Sequence, residues 1–193
     1  MNTNLVPQET IDVRKASIIN ALIWAFINIV LFLIVFYAMP NLLSKPAYGI
    51  FSFAISLALA IYFIIDLRTK LGGYWLFRVA LRYIYLLFFV QMAVTMAFST
   101  AFGKWIEPAY AEARLEDARN QAVERAEQMT SDQEKVDELI AQSEKWSKMF
   151  IDPDLKAFTI LLGVMAIFYF IGALIFAAIF KRNPPVFAPV EEE

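Results

Sequence analysis

The chain has 193 residues, 60% of them hydrophobic and 16% aromatic, with 17 basic and 19 acidic residues for a net charge of −2. The apolar share exceeds the roughly 45–50% of soluble domains, and the net charge of −2 argues against a nucleic-acid partner, which needs a basic stripe. With neither Cys nor His, thiol redox chemistry, Cys/His metal sites, His-ligated haem and His-based acid–base catalysis are excluded, and no cofactor is expected.

Residues 1–17 are mainly polar and are expected to form a cytoplasmic tail. Residues 18–39 then run for 22 positions without a charge. This is longer than the apolar core of a signal peptide, and Tyr37-Ala38-Met39-Pro40 lacks a small-x-small cleavage site, so the run reads as an uncleaved anchor. Pro40-Asn41-Leu42-Leu43-Ser44-Lys45-Pro46 predicts a tight turn, with Pro stopping one helix and starting the next. Residues 47–65 form a second uncharged block. Asp66-Leu67-Arg68-Thr69-Lys70-Leu71-Gly72-Gly73 links it to a third, residues 83–102, and the Gly pair is expected to break the helix. The fourth block is residues 157–180. A hydrocarbon core of about 30 Å needs about 20 apolar residues in helical form. Continuous rather than alternating hydrophobicity selects helices over a barrel. The expected fold is therefore an all-α polytopic membrane protein. Three membrane helices lie within residues 18–102 and a fourth at 157–180, in an up-down bundle.

Residues 103–156 separate the third and fourth blocks and carry eight basic and thirteen acidic residues. Trp105-Ile106-Glu107-Pro108 ends the third crossing; Trp105 suits an interfacial aromatic belt, and Pro108 suits either the first turn of a new helix or a kink in a continuing one. Residues 109–129 have helical composition, with Ala111, Leu115, Ala118, Ala122, Ala126 and Met129 recurring as a shallow stripe. Ser131-Asp132-Gln133-Glu134 reads as a capping box with Ser131 as the cap. A second helix follows, with Val136, Leu139, Ile140, Ser143, Trp146, Met149 and Phe150 on one side. Asp152-Pro153 reads as the cap and first position of the fourth membrane helix. The pattern predicts an extramembrane αα-hairpin, either a docking arm for a protein partner or for self-association through residues 109–150, or a structural cap with solvated charges. Its acid pairs, Glu116-Asp117 and Asp137-Glu138, lack the glycine and ligand spacing of a calcium loop. Residues 181–193 form the second tail, expected in the cytoplasm.

Arg14, Lys15, Arg68, Lys70, Arg78, Arg82, Lys181 and Arg182 fall on one side of this topology, and only Lys45 occupies the short loop on the other. By the positive-inside bias, both termini are expected in the cytoplasm and the hairpin outside. In the third crossing Gln91, Thr95 and Ser99 share a face; Asn20 and Asn28 share one in the first, with Trp24 between; Ser52, Ser56 and Ala60 share one in the second. These rows read either as interhelical hydrogen bonding or as a polar path for a solute. Further small-residue rows, Ala93, Ala97 and Ala101 and then Tyr169, Ala173 and Ala177, suit close helix packing. No ionisable group lies deep in any crossing, against an ion-coupled carrier. Arg78 and Arg82, beside Tyr74, Trp75, Tyr83 and Tyr85, are candidates for contact with an anionic lipid head group. The alternative is snorkelling to the interface, with Asp66 as salt-bridge partner. No nucleophile has a plausible base and no Gly-rich phosphate loop is present, so no enzyme is expected.

Three stretches together resemble a bacterial four-helix membrane family catalogued as domain of unknown function 4199. They are Gly72-Gly73-Tyr74-Trp75-Leu76-Phe77-Arg78-Val79-Ala80-Leu81-Arg82, then Ile106-Glu107-Pro108-Ala109-Tyr110, then Ala177-Ala178-Ile179-Phe180-Lys181-Arg182-Asn183-Pro184-Pro185. The resemblance runs from about Val13 to Pro185; the first crossing departs from it in having no Gly. It implies a multi-pass protein of the bacterial inner membrane and carries over no functional residues. The expected role is structural or accessory, presenting the hairpin to a partner; the alternative is a channel or carrier for a neutral or weakly polar solute along the Gln91–Thr95–Ser99 face.

Overall fold

The computed structural model describes residues 7–43 and 45–183, with side chains from residue 12 onward; Ser44 and the acidic tail after Asn183 lie outside the described residues. The elements are α1 (Pro7–Ala38), α2 (Pro40–Leu43), α3 (Pro46–Lys70), α4 (Phe77–Ala101), a π-turn (Phe102–Ile106), α5 (Pro108–Met129), α6 (Gln133–Ile151) and α7 (Leu155–Phe180). Four segments, Asp12–Ala38, Pro46–Lys70, Phe77–Ile106 and Leu155–Phe180, are long and apolar enough to cross a membrane. The chain is an all-α polytopic membrane protein.

Two compact units divide the chain: residues 1–95 with 166–193, and residues 96–165. In the first, the helix directions alternate. Asn20, in the first half of α1, bonds Asp66 near the end of α3. Trp75, just before α4, pairs in antiparallel fashion with Arg182, just after α7. The starts of α1 and α4 therefore share one end of the bundle with the finishes of α3 and α7.

The core of this unit holds Ile64, Leu67, Ile84, Leu87 and Phe88, yet its closest contacts fall to alanine and many large apolar side chains face outward. Ala21, Ala25, Ala80, Ala173 and Ala177 are fully buried, whereas Phe26, Ile50, Phe51, Phe53, Ile167 and Phe168 are each more than half exposed. Small residues let backbones approach, and large apolar side chains turned outward suit lipid, where no hydrophobic force drives helices together. The Tyr169, Ala173 and Ala177 row behaves as its spacing predicts, with both alanines buried and Tyr169 against Phe88. Phe88 is a hub. It meets Trp24 edge-on at 5.8 Å and Phe176 at 5.3 Å, geometries that aromatic quadrupoles favour.

The connections follow local chemistry. Pro40 and Pro46 bracket the short α2, and Pro46 starts α3. Gly72 and Gly73 take φ values of 78° and 83°, the left-handed region that glycine enters without steric cost. They end α3 as the Gly pair predicts. α1 starts ahead of its apolar block, at Pro7.

In the second unit α4 passes into the π-turn, where Glu107 N–H donates to the Phe102 carbonyl at 2.7 Å. Glu107 then leaves helical geometry at φ −140°, ψ 75°, and Pro108 opens α5; the third membrane helix does not continue past Pro108. A Cβ on Gly103 would lie 3.2 Å from the Cβ of Ala111, so this glycine permits the close return of α5. Two caps differ from expectation. Asp132, not Ser131, caps α6: its carboxylate accepts from Glu134 N–H at 3.2 Å, while the Thr130 hydroxyl accepts from Asp132 N–H. Asp154, not Asp152, caps α7, accepting from Ala157 N–H at 2.6 Å; Asp152 instead ends α6. At α6 the carboxylate is favoured over the neighbouring hydroxyl because an anion also complements the positive end of the helix dipole; at α7 Asp152 is taken up in ending α6, and the helix starts two residues later.

Candidate functional site

The polar residues of the crossings pair with one another. Asn28 and Ser56 bridge α1 to α3, with Nδ2 donating to Oγ at 3.2 Å and Oγ 3.4 Å from Oδ1. Gln91, buried in α4, donates to the Thr95 hydroxyl at 3.2 Å. Asn20, also buried, donates to Asp66 Oδ2 at 2.7 Å, and Lys70 meets the same oxygen at 2.6 Å. Asp66 thus takes Lys70 as its ion-pair partner, in place of the expected Arg78 or Arg82. One helical turn separates Lys70 from Asp66, which is the spacing at which side chains on a helix meet. Ser52 is half-buried and Ser99 exposed, so the two outlying members of the rows do not extend these pairs inward. Ala97 of the Ala93, Ala97 and Ala101 row is likewise exposed. Trp24, between Asn20 and Asn28 on the polar face of α1, is only 5% exposed, and among the described residues it is the one buried side chain whose polar atom, Nε1, has no hydrogen-bond partner.

At the shared end of the first unit, Arg14, Lys15, Lys70, Arg78, Arg82, Lys181 and Arg182 are exposed. Trp75, read from sequence only as one of several aromatics near Arg78, is 3% exposed. Its indole donates to the Phe180 carbonyl at 2.8 Å, and its backbone exchanges bonds of 3.0 and 3.1 Å with Arg182. The Arg182 guanidinium lies over the Tyr74 ring, 5.6 Å from its centroid. This cation–π contact further orients the side chain.

The second unit holds the hairpin. Ala111, Ala122 and Ala126 of α5 are buried with Val136 of α6, as the alanine stripe predicts. On one flank of the α5–α6 seam an exposed ion pair, Arg119 Nε to Glu144 Oε1 at 2.9 Å, links the two helices. The other flank is a groove of about 660 Å³. Ala118, Ala122 and Ala126 lie along it with Leu139; Trp146 and Phe150 form a wall, and Arg114 and Arg125 add charge. Trp146, Phe150 and Met129, which the sequence pattern places on the packing faces, are instead 54%, 53% and 75% exposed. Alanine side chains bring the two helices so close that these larger groups are left outside the seam. At the hairpin base Lys104 Nζ donates to the Pro153 carbonyl at 2.5 Å and lies 3.3 Å from Asp152 Oδ1. Among the described residues no group of three or more His, Cys, Asp or Glu side chains could hold a metal ion.

The family model described as "Protein of unknown function (DUF4199)" matches residues 17–182. The chain belongs to this family. The DUF4199 match spans the hairpin, most of the apolar helices and both Trp75 and Arg182. No curated protein and no solved structure matches the chain.

Proposed function

We propose that this DUF4199 protein is a non-enzymatic membrane accessory whose hairpin docks an amphipathic helix of a protein partner in the α5–α6 groove. The observation that carries the reading is the groove itself: three large apolar side chains, Met129, Trp146 and Phe150, stand more than half exposed beside it. Exposed apolar groups gathered on a segment outside the membrane spans mark an interaction surface, and aromatic and Arg anchors are the side chains that dominate binding energy. The alanines allow a third helix to approach, and Arg114 and Arg125 favour a helix with acidic residues along its edge. The basic residues at the opposite helix ends support a cytoplasmic position for both termini and an external hairpin in a bacterial inner membrane.

The channel reading has less support. Asn28 with Ser56 and Asn20 with Asp66 are matched across α1 and α3, where such pairs act as interhelical glue, and Gln91 is matched to Thr95 one turn along α4. A photocrosslinking residue placed at Gln121 or Gln142 in the full-length protein, inside its native membrane, tests the docking reading. One defined protein adduct is expected at both positions, lost on W146A/F150A substitution and absent from a probe at exposed Asn120. Adducts only to a second copy of this chain, or equal adducts at Asn120, would overturn it.

A further inference from the structure

We propose that the seam between the start of α4 and the end of α7 binds a single anionic phospholipid, its phosphodiester between Arg78 and Arg182 and its acyl chains on Leu76 and Phe77. The site rests on a juxtaposition within the first unit that sequence alone does not create. Arg182 is far from Arg78 along the chain, yet the Trp75–Arg182 backbone pairing brings it beside Trp75, and Arg78 follows Trp75 by three residues. Arg182 is already held: its backbone bonds Trp75 at both N–H and carbonyl, and its guanidinium rests over Tyr74. A pre-positioned guanidinium loses less freedom on binding, and its planar fork matches phosphate oxygens. Arg78 lies in the first turn of α4, where the helix dipole also favours an anion.

Competition from carboxylates is limited. The acidic groups at this end among the described side chains are Asp12 and Asp66, and Asp66 is engaged by Lys70 and Asn20. Around the pair, Arg14, Lys15, Arg68, Arg82 and Lys181 add same-sign charge that draws an anionic head group to the surface. The apolar neighbours decide the kind of anion. Tyr74, Leu76 and Phe77 are 41%, 56% and 36% exposed directly beside the cations. A soluble phosphate has no use for that surface, whereas a phospholipid carries chains to cover it.

The test uses the full-length protein purified in an uncharged detergent, with bound lipid measured by native mass spectrometry. Dioleoyl-phosphatidylglycerol is expected to be retained as one molecule per chain, in clear preference to dioleoyl-phosphatidylcholine, and not to be displaced by inorganic phosphate. Because each basic residue near a membrane surface contributes modestly, R78Q and R182Q are each expected to lower retention about fivefold. Both single substitutions leave the Trp75–Arg182 backbone pairing available. R119Q, in the hairpin, is expected to leave retention unchanged. Equal retention of the two lipids, displacement by inorganic phosphate alone, or undiminished retention in both single variants would overturn the proposal.

Discussion

Trp75 is the most informative residue to remove, because it combines burial with two kinds of hydrogen bond. It is 3% exposed, its indole donates to the Phe180 carbonyl at 2.8 Å, and its backbone pairs with Arg182. Trp75→Ala empties the space between the start of α4 and the end of α7, and losses of about 3–5 kcal/mol accompany such truncations. Trp75→Phe keeps most of the packing but gives up the indole donor, which contributes about 0.5–1.5 kcal/mol. The alanine variant should therefore be several times as damaging as the phenylalanine variant. Equilibrium unfolding of the full-length protein in mixed micelles, followed by far-ultraviolet circular dichroism, measures both. The alanine variant should also be cut faster by trypsin after Lys181 and Arg182, because the end of α7 loses its anchor. A Trp75→Ala cost below about 1 kcal/mol would refute the view that this side chain joins the two helices. Equal costs for the two variants would show that the bond, rather than the packing, holds the junction.

Three further outcomes are expected. Asp132→Ala should destabilise the hairpin by about 0.5–2 kcal/mol through loss of the α6 cap, while Ser131→Ala should leave it unchanged; protease resistance of residues 103–156 reads the difference. Ala126→Leu, at a position 2% exposed in the α5–α6 seam, should cost about 1–3 kcal/mol by overpacking. The same measurement reports it, and an unaffected hairpin would mean the helices pack less closely than described. A double-mutant cycle of Asn28→Ala and Ser56→Ala should return a coupling of about 0.6 kcal/mol, typical of hydrogen bonds between membrane helices; a coupling indistinguishable from zero would remove this bridge from the packing account.

Legibility in the sequence varied with the range of the interaction concerned. The four apolar blocks, the Gly72-Gly73 break and the alanine stripe of α5 could be read directly, because each depends on composition or on spacing within one element. Caps were legible to within a residue or two: three neighbouring side chains, Thr130, Ser131 and Asp132, can each accept from a helix amide. Which one does so depends on backbone angles that no local pattern specifies. The polar rows of the crossings were visible, but not their pairing. Asp66 shows the limit: Lys70 lies one turn along the same helix and is predictable, whereas Asn20 comes from α1 and depends on how two helices meet.

By itself, then, the sequence determined that this chain lives in lipid as helices, since unbroken apolar runs of that length leave the backbone no other way to satisfy its hydrogen bonds. It also determined that the segment between the third and fourth runs folds as a separate helical pair. Tertiary structure alone decided that Trp75 would close onto the end of α7 and pair with Arg182. It alone turned Trp146 and Phe150 out of the hairpin seam. The physical reason is common to both: small residues set how closely two helices approach, and that distance, absent from any single helix, decides which large side chains are enclosed and which remain outside.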